Sequence, residues 1–359
     1  MKKIYSLSFA LLSLGTFAQQ GQPAPYYNGF NFSQQGNSLK TALANKISST
    51  HTRQLTYQEA ENAIMVTDAD PSSNSNVFLV YGFSNNICPS SVSDDNDHKR
   101  RYKYNDGAGS TCEWNREHTY AKSLATPGLD NEGPGADVHH LRSCDVDRNS
   151  MRGNLRFAAG SGNSGNMGGG WYPGDEWKGD VARMIMYMYL RYGDRCLPRN
   201  AAIGTAPASD GNMVQMLLDW NREDPVSQYE DNRNTYLGNT GNAYGQGNRN
   251  PFIDNPYLAT LIWGGQPAQD RWGIMSTNDA FTANVVIYPN PANGNEVTVY
   301  SEASLDKIEL VNINGQTVKS ISKPVSSNNN YKINNLSSGF YMVKLLSGDK
   351  AAVKKLIVN

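Results

Sequence analysis

The sequence lacks three features that would each indicate a different class of protein. It has no internal run of 18 or more apolar residues, which argues against an integral membrane protein. It has no excess of positive charge, since its formal net charge is −1, which excludes a polycation that binds nucleic acid by bulk charge. Its 38% hydrophobic content excludes collagen-like and mainly disordered chains, and 359 residues leave room for two domains.

The first 18 residues have the pattern of a signal peptide. Lys2 and Lys3 give a positive start, an apolar run follows at residues 4–17, and Ala18 is a small residue at the expected cleavage position. This pattern predicts an exported mature chain that begins at residue 19. The alternative for this segment is a buried N-terminal helix.

Cysteine is scarce, with four residues in the whole chain and no Cys-x-x-Cys pair. An even number of cysteines in an exported chain predicts two disulfide bonds, in any of three possible pairings. A structural zinc site of four cysteines would need closely spaced pairs. The four residues are Cys88, Cys112, Cys144 and Cys196.

The composition divides the mature chain near residue 280. Residues 19–270 are rich in aromatic residues, Asn, Arg and Gly, and they predict an α+β domain with helices near 38–48, 180–192 and 213–221. The glycine-rich residues 160–170 predict a loop, and residues 271–284 predict a linker. Residues 285–359 carry short alternating runs, with a hairpin signal at Asn314 and Gly315, and predict a small β-sandwich.

The tail at residues 285–359 also carries four motifs in a fixed order. They are Tyr288, Pro289, Asn290 and Pro291, then Asn314 and Gly315, then residues 338–341, then residues 354–359. The tail thereby resembles the type A C-terminal sorting domain of type IX secretion cargo. The resemblance implies that the protein is secreted or held at the cell surface, with the type IX machinery as a partner and no stable membrane insertion. A plain immunoglobulin-like adhesion domain is the alternative.

The residues with catalytic chemistry are concentrated in one segment of the first domain. Three of the five histidines lie there, at positions 118, 139 and 140. Residues 114–119 and 137–142 predict two short strands, and residues 145–153 predict one or two helical turns. Neighbouring side chains on a strand face opposite sides, so Glu117 could hold a metal while His118 addresses water or substrate.

Hydrolysis of a phosphodiester requires the residue types that this segment supplies. A hard divalent cation prefers oxygen ligands such as the carboxylate of Glu117 and the amide oxygen of Asn149. A neutral histidine such as His118 can deprotonate the attacking water at working pH. Arginines can hold the phosphate through paired hydrogen bonds.

Three motifs follow one another in this segment. They are Asn115, Arg116, Glu117 and His118, then His139, His140, Leu141 and Arg142, then Asn149, Ser150, Met151, Arg152, Gly153 and Asn154. Their order resembles the endonuclease I family of secreted bacterial nucleases, and the similarity covers most of residues 26–265. It implies a ββα-metal (His-Me finger) core with surrounding helices. It also implies cleavage of DNA, and often of RNA, without sequence specificity.

The resemblance also implies a role for each matching residue. His118 would be the general base, and Glu117 and Asn149 would hold one Mg²⁺, with Mn²⁺ or Ca²⁺ as alternatives. Arg142 and Arg152 are candidates for contact with the phosphate. His139 would lie on the second strand and buttress the site, and the enzyme is expected to be a monomer.

Two departures from the family pattern leave a second hypothesis open. Ser143 and Cys144 stand where family members commonly have Pro after the Leu-Arg pair, and residues 119–137 contain no arginine, where some members carry one that stabilises the product phosphate. The alternative is therefore a surface-displayed binding protein that keeps the fold without turnover. Retention of Glu117, His118 and Asn149 argues against it.

Each candidate also has a structural alternative. Glu117 could form a surface salt bridge, Asn149 could cap a helix, and the three histidines could bind structural zinc. The basic run at residues 99–103 could contact a nucleic-acid backbone or form a solvated loop. The polar segment at residues 246–254 is interpreted as a structural loop beneath the site.

Overall fold

The computed structural model describes residues 25–83, 99–107, 112–274, 281–282, 284–348 and 350–359. The predicted signal peptide, Cys88 and part of the predicted linker lie outside these residues. Among the helices of the described part of the chain, none has both the length and the apolar character needed to span a bilayer.

The first domain combines helices with small antiparallel sheets, which confirms the predicted α+β class. Its helices are α1 Gly36–Thr50, α2 Tyr57–Thr67, α3 Val146–Arg152, α4 Lys178–Tyr192, α5 Pro198–Ala201, α6 Gln215–Glu223, α7 Gln228–Gly238, α8 Pro251–Asp254 and α9 Tyr257–Trp263. Its strands are β1 Ala69–Asp70, β2 Ser73–Phe78, β3 Arg100–Tyr102, β4 Trp114–His118, β5 Leu141–Asp145, β6 Gly165–Met167 and β7 Gly170–Tyr172.

Helix α4 forms the centre of this domain. All residues from Gly179 to Leu190 are buried, including the methionines Met184, Met186 and Met188. The helix packs against α1, α6 and α8. The three helices predicted from the apolar spacing are all present at their expected places, as α1, α4 and α6.

Strands β4 and β5 pair in antiparallel register, and α3 follows β5 directly. Glu117 lies opposite Arg142, and His118 lies opposite Leu141. The first strand and the helix confirm the prediction, but the second strand begins at Leu141 and not at residue 137. Residues 138–140 form a 3₁₀ turn instead, because the side chain of Asp137 accepts a 3.0 Å hydrogen bond from the backbone N–H of His139.

Two further predictions for this domain need correction. The glycine-rich residues 160–170 include β6 and the first residue of β7, which pair as a short hairpin. The domain also continues beyond residue 270 into the expected linker. Arg271 forms a 2.6 Å ion pair with Asp231, and the Trp272 ring packs against Tyr27 and Phe32.

The tail is rich in strands and has its own core. Two sheets, ordered β11-β10-β13-β14 and β12-β9-β8, contribute to one cluster of buried side chains. Asn314 and Gly315 lie in the turn between β10 and β11, as expected. The strands are β8 Val286–Tyr288, β9 Val297–Tyr300, β10 Lys307–Asn312, β11 Thr317–Ser322, β12 Asn330–Ile333, β13 Gly339–Ser347 and β14 Lys350–Val358.

The cysteines do not follow the prediction of two disulfide bonds. Cys144 and Cys196 are both buried free thiols. Each is held inside the core of the first domain, where it packs as a small apolar residue. A disulfide bond that involves Cys88 stays a prediction, since Cys88 lies outside the described residues.

Candidate active site

His118 lies at the end of β4 and is fixed by a backbone carbonyl. Its Nε2 is 3.0 Å from the carbonyl oxygen of Gly135. A carbonyl oxygen only accepts hydrogen bonds, so Nε2 carries the proton and Nδ1 keeps its lone pair. The Tyr57 ring stacks on the imidazole with centroids 6.0 Å apart, and His140 contacts it edge-on at 5.5 Å. The ring is therefore held with Nδ1 as its basic atom.

The imidazole of His118 is neutral at physiological pH. Burial, and after it the neighbouring His140, lower its pKa from 6.5 to about 3. Only 9% of the residue is exposed. A histidine in this state has an unprotonated nitrogen available to accept a proton.

Glu117, the preceding residue, is a buried carboxylate with two donors on one oxygen. The Tyr81 hydroxyl donates to Oε1 at 2.8 Å, and Nη1 of Arg152 lies 3.1 Å from the same atom. Burial raises the pKa of Glu117. A carboxylate has about four lone-pair positions, so these contacts orient Glu117 and leave further acceptor capacity for a cation.

Asn149 on α3 faces the same strand. Its amide nitrogen donates to the side-chain oxygen of Asn115 at 2.6 Å and to the backbone carbonyl of Arg116 at 3.2 Å. The carbonyl belongs to the residue before Glu117, so Asn149 is anchored to β4 next to the position of Glu117 in the chain. With its nitrogen turned to these acceptors, the side chain is half-exposed and presents its oxygen elsewhere.

Helix α3 is anchored by a buried ion pair at its N-terminus. The Asp145 side chain accepts hydrogen bonds from the backbone N–H groups of Asp147 and Arg148, at 3.0 and 3.1 Å. Nη2 of Arg101 on β3 lies 2.7 Å from the same carboxylate, and both side chains are buried. Arg101 therefore belongs to the core and not to a nucleic-acid contact or a solvated loop. The sequence pattern did not indicate that Arg101 would be buried in the core.

The donor set at Glu117 and Asn149 fits a hard divalent cation. Both side chains offer oxygen, which Mg²⁺, Mn²⁺ and Ca²⁺ prefer. Within the described ranges, no group of three or more His, Cys, Asp and Glu side chains is placed to hold a metal. A cation at Glu117 and Asn149 would therefore take most of its ligands from water and phosphate, as Mg²⁺ commonly does.

Arg142 is not brought to this site. Its guanidinium is fully buried and contacts Asp68 at 3.3 Å, Asp180 at 3.1 Å and the hydroxyl of Tyr229 at 3.0 Å. A guanidinium with these partners has no face turned to a substrate. The prediction that Arg142 contacts phosphate is therefore replaced by a structural role, in which Arg142 ties β5 to α4 and α7.

Arg152 is close to the site but is also buried. Its Nη1 donates to the carbonyl of His118 at 3.0 Å and its Nη2 to that of Thr119 at 2.9 Å, in addition to the contact with Glu117. These bonds join the end of α3 to the end of β4. Arg152 holds the shape of the site and is not placed for direct contact with a phosphate.

His139 and the polar segment at residues 246–254 support the site from below. His139 Nε2 is 3.0 Å from the carbonyl oxygen of Asn248, and its ring packs on Tyr187 at 4.6 Å. The side-chain oxygen of Gln246 accepts a 2.8 Å hydrogen bond from the N–H of Val138. This is the structural loop that the sequence predicted, although His139 lies on the 3₁₀ turn and not on a strand.

Sequence reasoning missed several residues around His118. Tyr57 follows Thr56, whose capping box with Glu59 was readable as a helix start, although the ring contact with His118 was not. Lys122 is half-exposed, and its Nζ lies 5.7 Å from the Tyr57 ring centroid. The other residues missed are Tyr81, Asn115 and Gly135.

The two cations whose charges lower the pKa of the His118 imidazole, Lys122 and Arg116, differ in their surroundings. The Arg116 guanidinium lies over the Tyr57 ring at 3.8 Å and forms a 2.6 Å ion pair with Glu61. Lys122 donates to the neutral amide of Asn131 at 2.5 Å, a contact that does not cancel its charge. Lys122 is therefore the better placed of the two to meet an anion.

Comparison with known proteins identifies two matching families. Residues 35–257 match the family described as Endonuclease I, and residues 286–359 match the family described as Secretion system C-terminal sorting domain. The first match covers the helical domain with β4, β5 and α3. The second covers β8 to β14.

Two curated relatives are similar over most of their length. An extracellular ribonuclease of Bacillus subtilis (strain 168) is 40% identical over 265 residues, which span 71% of this chain and 84% of that protein. An extracellular ribonuclease of Bacillus amyloliquefaciens is 40% identical over 240 residues, which span 64% and 75%. PorZ, a surface component of the type-IX secretion system of Porphyromonas gingivalis, superposes on 23% of this chain with 12% of its own length. The TM-score is 0.20 and the sequence identity is 20%, so this similarity is too weak to indicate a shared fold.

Proposed function

This chain belongs to the endonuclease I family, and from that premise we propose that it is a metal-dependent endonuclease that cleaves RNA and DNA without sequence specificity. It is a secreted nuclease of the hydrolase class, since both its family and its extracellular relatives have that character. Its C-terminal sorting domain directs it to the cell surface or the outside through type IX secretion.

The observation that carries the proposal is the fixed orientation of His118. The carbonyl of Gly135 holds the proton on Nε2, so Nδ1 is the atom that accepts a proton from the attacking water. Burial keeps the imidazole neutral at physiological pH, and the ring contacts of Tyr57 and His140 limit its rotation. His118 is therefore the general base.

Glu117 and Asn149 are the residues that would hold a divalent cation. Glu117 is oriented by Tyr81 and Arg152, and Asn149 is oriented by Asn115. When bound, a divalent cation would stabilise the negative charge on the phosphate and on the leaving oxygen. Family members are generally metal-dependent, and Mg²⁺ is our first choice, with Mn²⁺ and Ca²⁺ as alternatives, because two oxygen ligands do not select among them.

Lys122 takes the phosphate-contacting role that the sequence assigned to Arg142 and Arg152. It lies in the connection between β4 and the 3₁₀ turn, where no arginine occurs. Its charge is near enough to His118 to lower the pKa of the imidazole further, after the larger effects of burial and His140. The half-exposed ammonium of Lys122 can also attract the negative charge of a phosphodiester.

The substrate range includes RNA on the strength of the two relatives that are named extracellular ribonucleases. DNA is included because the proposed catalytic residues act on the phosphodiester and on the attacking water. The phosphodiester is common to DNA and RNA. The full chain has a formal net charge of −1, so it should bind either polymer weakly outside the active site. We expect a monomer.

The test uses the mature chain from residue 19 to 359, with plasmid DNA and a structured RNA as substrates. Cleavage is measured with Mg²⁺, with EDTA, and with the His118→Ala variant in Mg²⁺. We expect loss of about 10²- to 10⁴-fold in the variant, the usual contribution of a general base, and complete loss in EDTA. Circular dichroism shows whether the variant keeps its fold.

Each outcome decides between the two hypotheses. Cleavage by the mature chain that is lost in both controls supports the proposal. If the folded mature chain leaves both polymers intact with Mg²⁺, Mn²⁺ and Ca²⁺ but retards them in a gel, the surface-displayed binding protein is the better description. If EDTA has no effect on cleavage, the metal assignment is wrong.

A further inference from the structure

Tyr81 stands beside the proposed metal ligand in an unusual backbone conformation. Its φ is +67°, in the left-handed region that side chains other than glycine rarely adopt. The residue is fully buried, and its ring contacts Phe157 and Trp171 with centroids 6.3 and 5.7 Å away. A bulky residue keeps such a conformation only where the surrounding structure imposes it.

The surrounding structure does impose this conformation. The backbone N–H of Val80 donates to the carbonyl of Ser143 at 2.9 Å, which attaches the segment to β5. The carbonyl of Tyr81 accepts a 2.6 Å hydrogen bond from the Ser164 hydroxyl. A glycine would fit the backbone at position 81 without strain, but it would have no hydroxyl. The strained backbone at position 81 therefore occurs together with a side chain that carries a hydroxyl.

That side chain ends on Glu117. The Tyr81 hydroxyl donates to Oε1 at 2.8 Å, and Arg152 contacts the same oxygen at 3.1 Å. The two donors differ in charge. Arg152 competes with a cation for the carboxylate, whereas the neutral hydroxyl of Tyr81 orients the carboxylate without cancelling its charge. The pair can hold Glu117 in place while leaving it attractive to a divalent ion.

We propose that Tyr81 is a positioning residue for metal binding, whose hydroxyl holds the Glu117 carboxylate in the orientation that receives a divalent cation. This rests on the proposed function, in which Glu117 is a metal ligand. Partners that orient a ligand commonly change metal affinity by 10- to 100-fold when they are removed. The effect should therefore appear in binding before it appears in turnover.

The experiment compares Tyr81→Phe with a matched control, Tyr27→Phe, in the mature full-length chain. Tyr27 is also buried, and its hydroxyl donates to the Asp254 carboxylate at 2.9 Å, on elements other than β4, β5 and α3. Both variants lose one hydroxyl and keep the ring. Mn²⁺ binding without nucleic acid is measured by electron paramagnetic resonance, and cleavage is then measured across a series of Mn²⁺ concentrations.

We expect Tyr81→Phe to raise the Kd for Mn²⁺ by about tenfold or more, while Tyr27→Phe leaves it unchanged. Cleavage by Tyr81→Phe should approach that of the parent chain at saturating Mn²⁺. The melting temperatures of the two variants report the structural cost of losing a hydroxyl. If Tyr81→Phe fails to fold, Ser164→Ala, which removes the hydroxyl that restrains the Tyr81 carbonyl, is tested for a raised Kd in the same way.

A third variant, Glu117→Gln, separates the two ways in which the idea can fail. If Glu117→Gln weakens Mn²⁺ binding and Tyr81→Phe binds as tightly as Tyr27→Phe, the positioning role is overturned and the metal site stands. If the parent chain binds no Mn²⁺, or Glu117→Gln binds it as the parent does, the metal assignment fails and takes the positioning role with it.

Discussion

The side chains of Asn149 and Asn115 are joined by a 2.6 Å hydrogen bond that crosses from α3 to β4. Asn149 is the donor, so Asn115 turns the amide of Asn149 until its nitrogen faces the strand. One proposed metal ligand is thus oriented by a neutral side chain of the same motif. Asn115 is the first residue of the motif that ends at His118. The sequence alone does not show that Asn115 acts by orienting Asn149.

Asn115 can be tested through its role as an acceptor. Asn115→Ala should weaken metal binding and reduce cleavage at limiting Mg²⁺ by about 10-fold or more, because Asn149 loses the partner that orients it. Asn115→Asp keeps an acceptor oxygen and should retain most of the affinity. A titration of cleavage against Mg²⁺ compares the two variants. Equal affinity in the parent chain and in Asn115→Ala would refute this role.

Gly135 should tolerate no side chain, because a Cβ there would lie 1.7 Å from the backbone oxygen of Asp130. Gly135→Ala must shift the turn that carries the carbonyl bonded to His118 Nε2. We expect kcat to fall by about 10-fold or more, since a displaced base loses its alignment. The matched control is Gly128→Ala, whose nearest contact is an ordinary 3.4 Å. Equal kcat values for the two variants would contradict the prediction.

Lys122→Gln should weaken activity without weakening the fold. Removal of one phosphate contact should raise KM and reduce the slope of log affinity against log salt by about 1. The measurement is KM for a short RNA duplex at several salt concentrations, with urea unfolding as the control. An unchanged salt dependence would exclude Lys122 from substrate contact.

Arg142→Gln should have the opposite pattern. The substitution removes one ion pair from each of the buried carboxylates of Asp68 and Asp180, which keep Arg233 and Arg183 as partners. Breaking such a buried network should cost up to about 3 to 5 kcal/mol of folding free energy. Urea unfolding measures this loss. Activity of the fraction that stays folded should be close to that of the parent chain. A stable variant with a specific loss of kcat would restore Arg142 to the catalytic machinery.

Acid stability offers a test of the buried His140. Burial lowers its pKa from 6.5 to about 4, so between these values the unfolded chain binds a proton that the folded chain does not. His140 therefore removes stability as the pH falls from about 6.5 towards 4, by up to about 1.4 kcal/mol per pH unit. Asp224 acts in the opposite direction, because burial raises its pKa to about 6. The prediction therefore concerns the difference in pH dependence of the unfolding free energy between the parent chain and a variant without His140.

The variant for this test is His140→Asn. Its unfolding free energy should fall less on acidification from pH 6.5 to pH 4.5 than that of the parent chain, whatever its stability at pH 7. Urea unfolding at intervals of half a pH unit gives both curves. Parallel curves would show that His140 does not titrate on unfolding in this range.

The sequence predicted the helices and the motif better than it predicted the arginines. Apolar spacing located α1, α4 and α6 because burial of one face is a local property of the chain. Arg142 and Arg152 were assigned to phosphate because arginine is the usual ligand of that anion. Their burial depends on Asp68, Asp180 and the carbonyls of His118 and Thr119. Partners so distant in sequence leave no local signal.

The site shows the same division. Glu117, His118 and Asn149 could be proposed from the sequence because their residue types and order suit the chemistry. The contacts that orient them were not readable, since Gly135 acts through its backbone and Tyr81 through a residue 36 positions away. The 3₁₀ turn at residues 138–140 was missed for a related reason, because the side chain of Asp137 competes with strand pairing.

The tail buries its side chains in a cluster that shares no residue with the clusters of the nuclease domain. The nuclease domain and the tail therefore each have a core of their own, and we expect each to fold without the other. We expect cleavage between them to release a folded nuclease domain. The same tail could label passengers of unrelated fold, and the same nuclease could be delivered by another route.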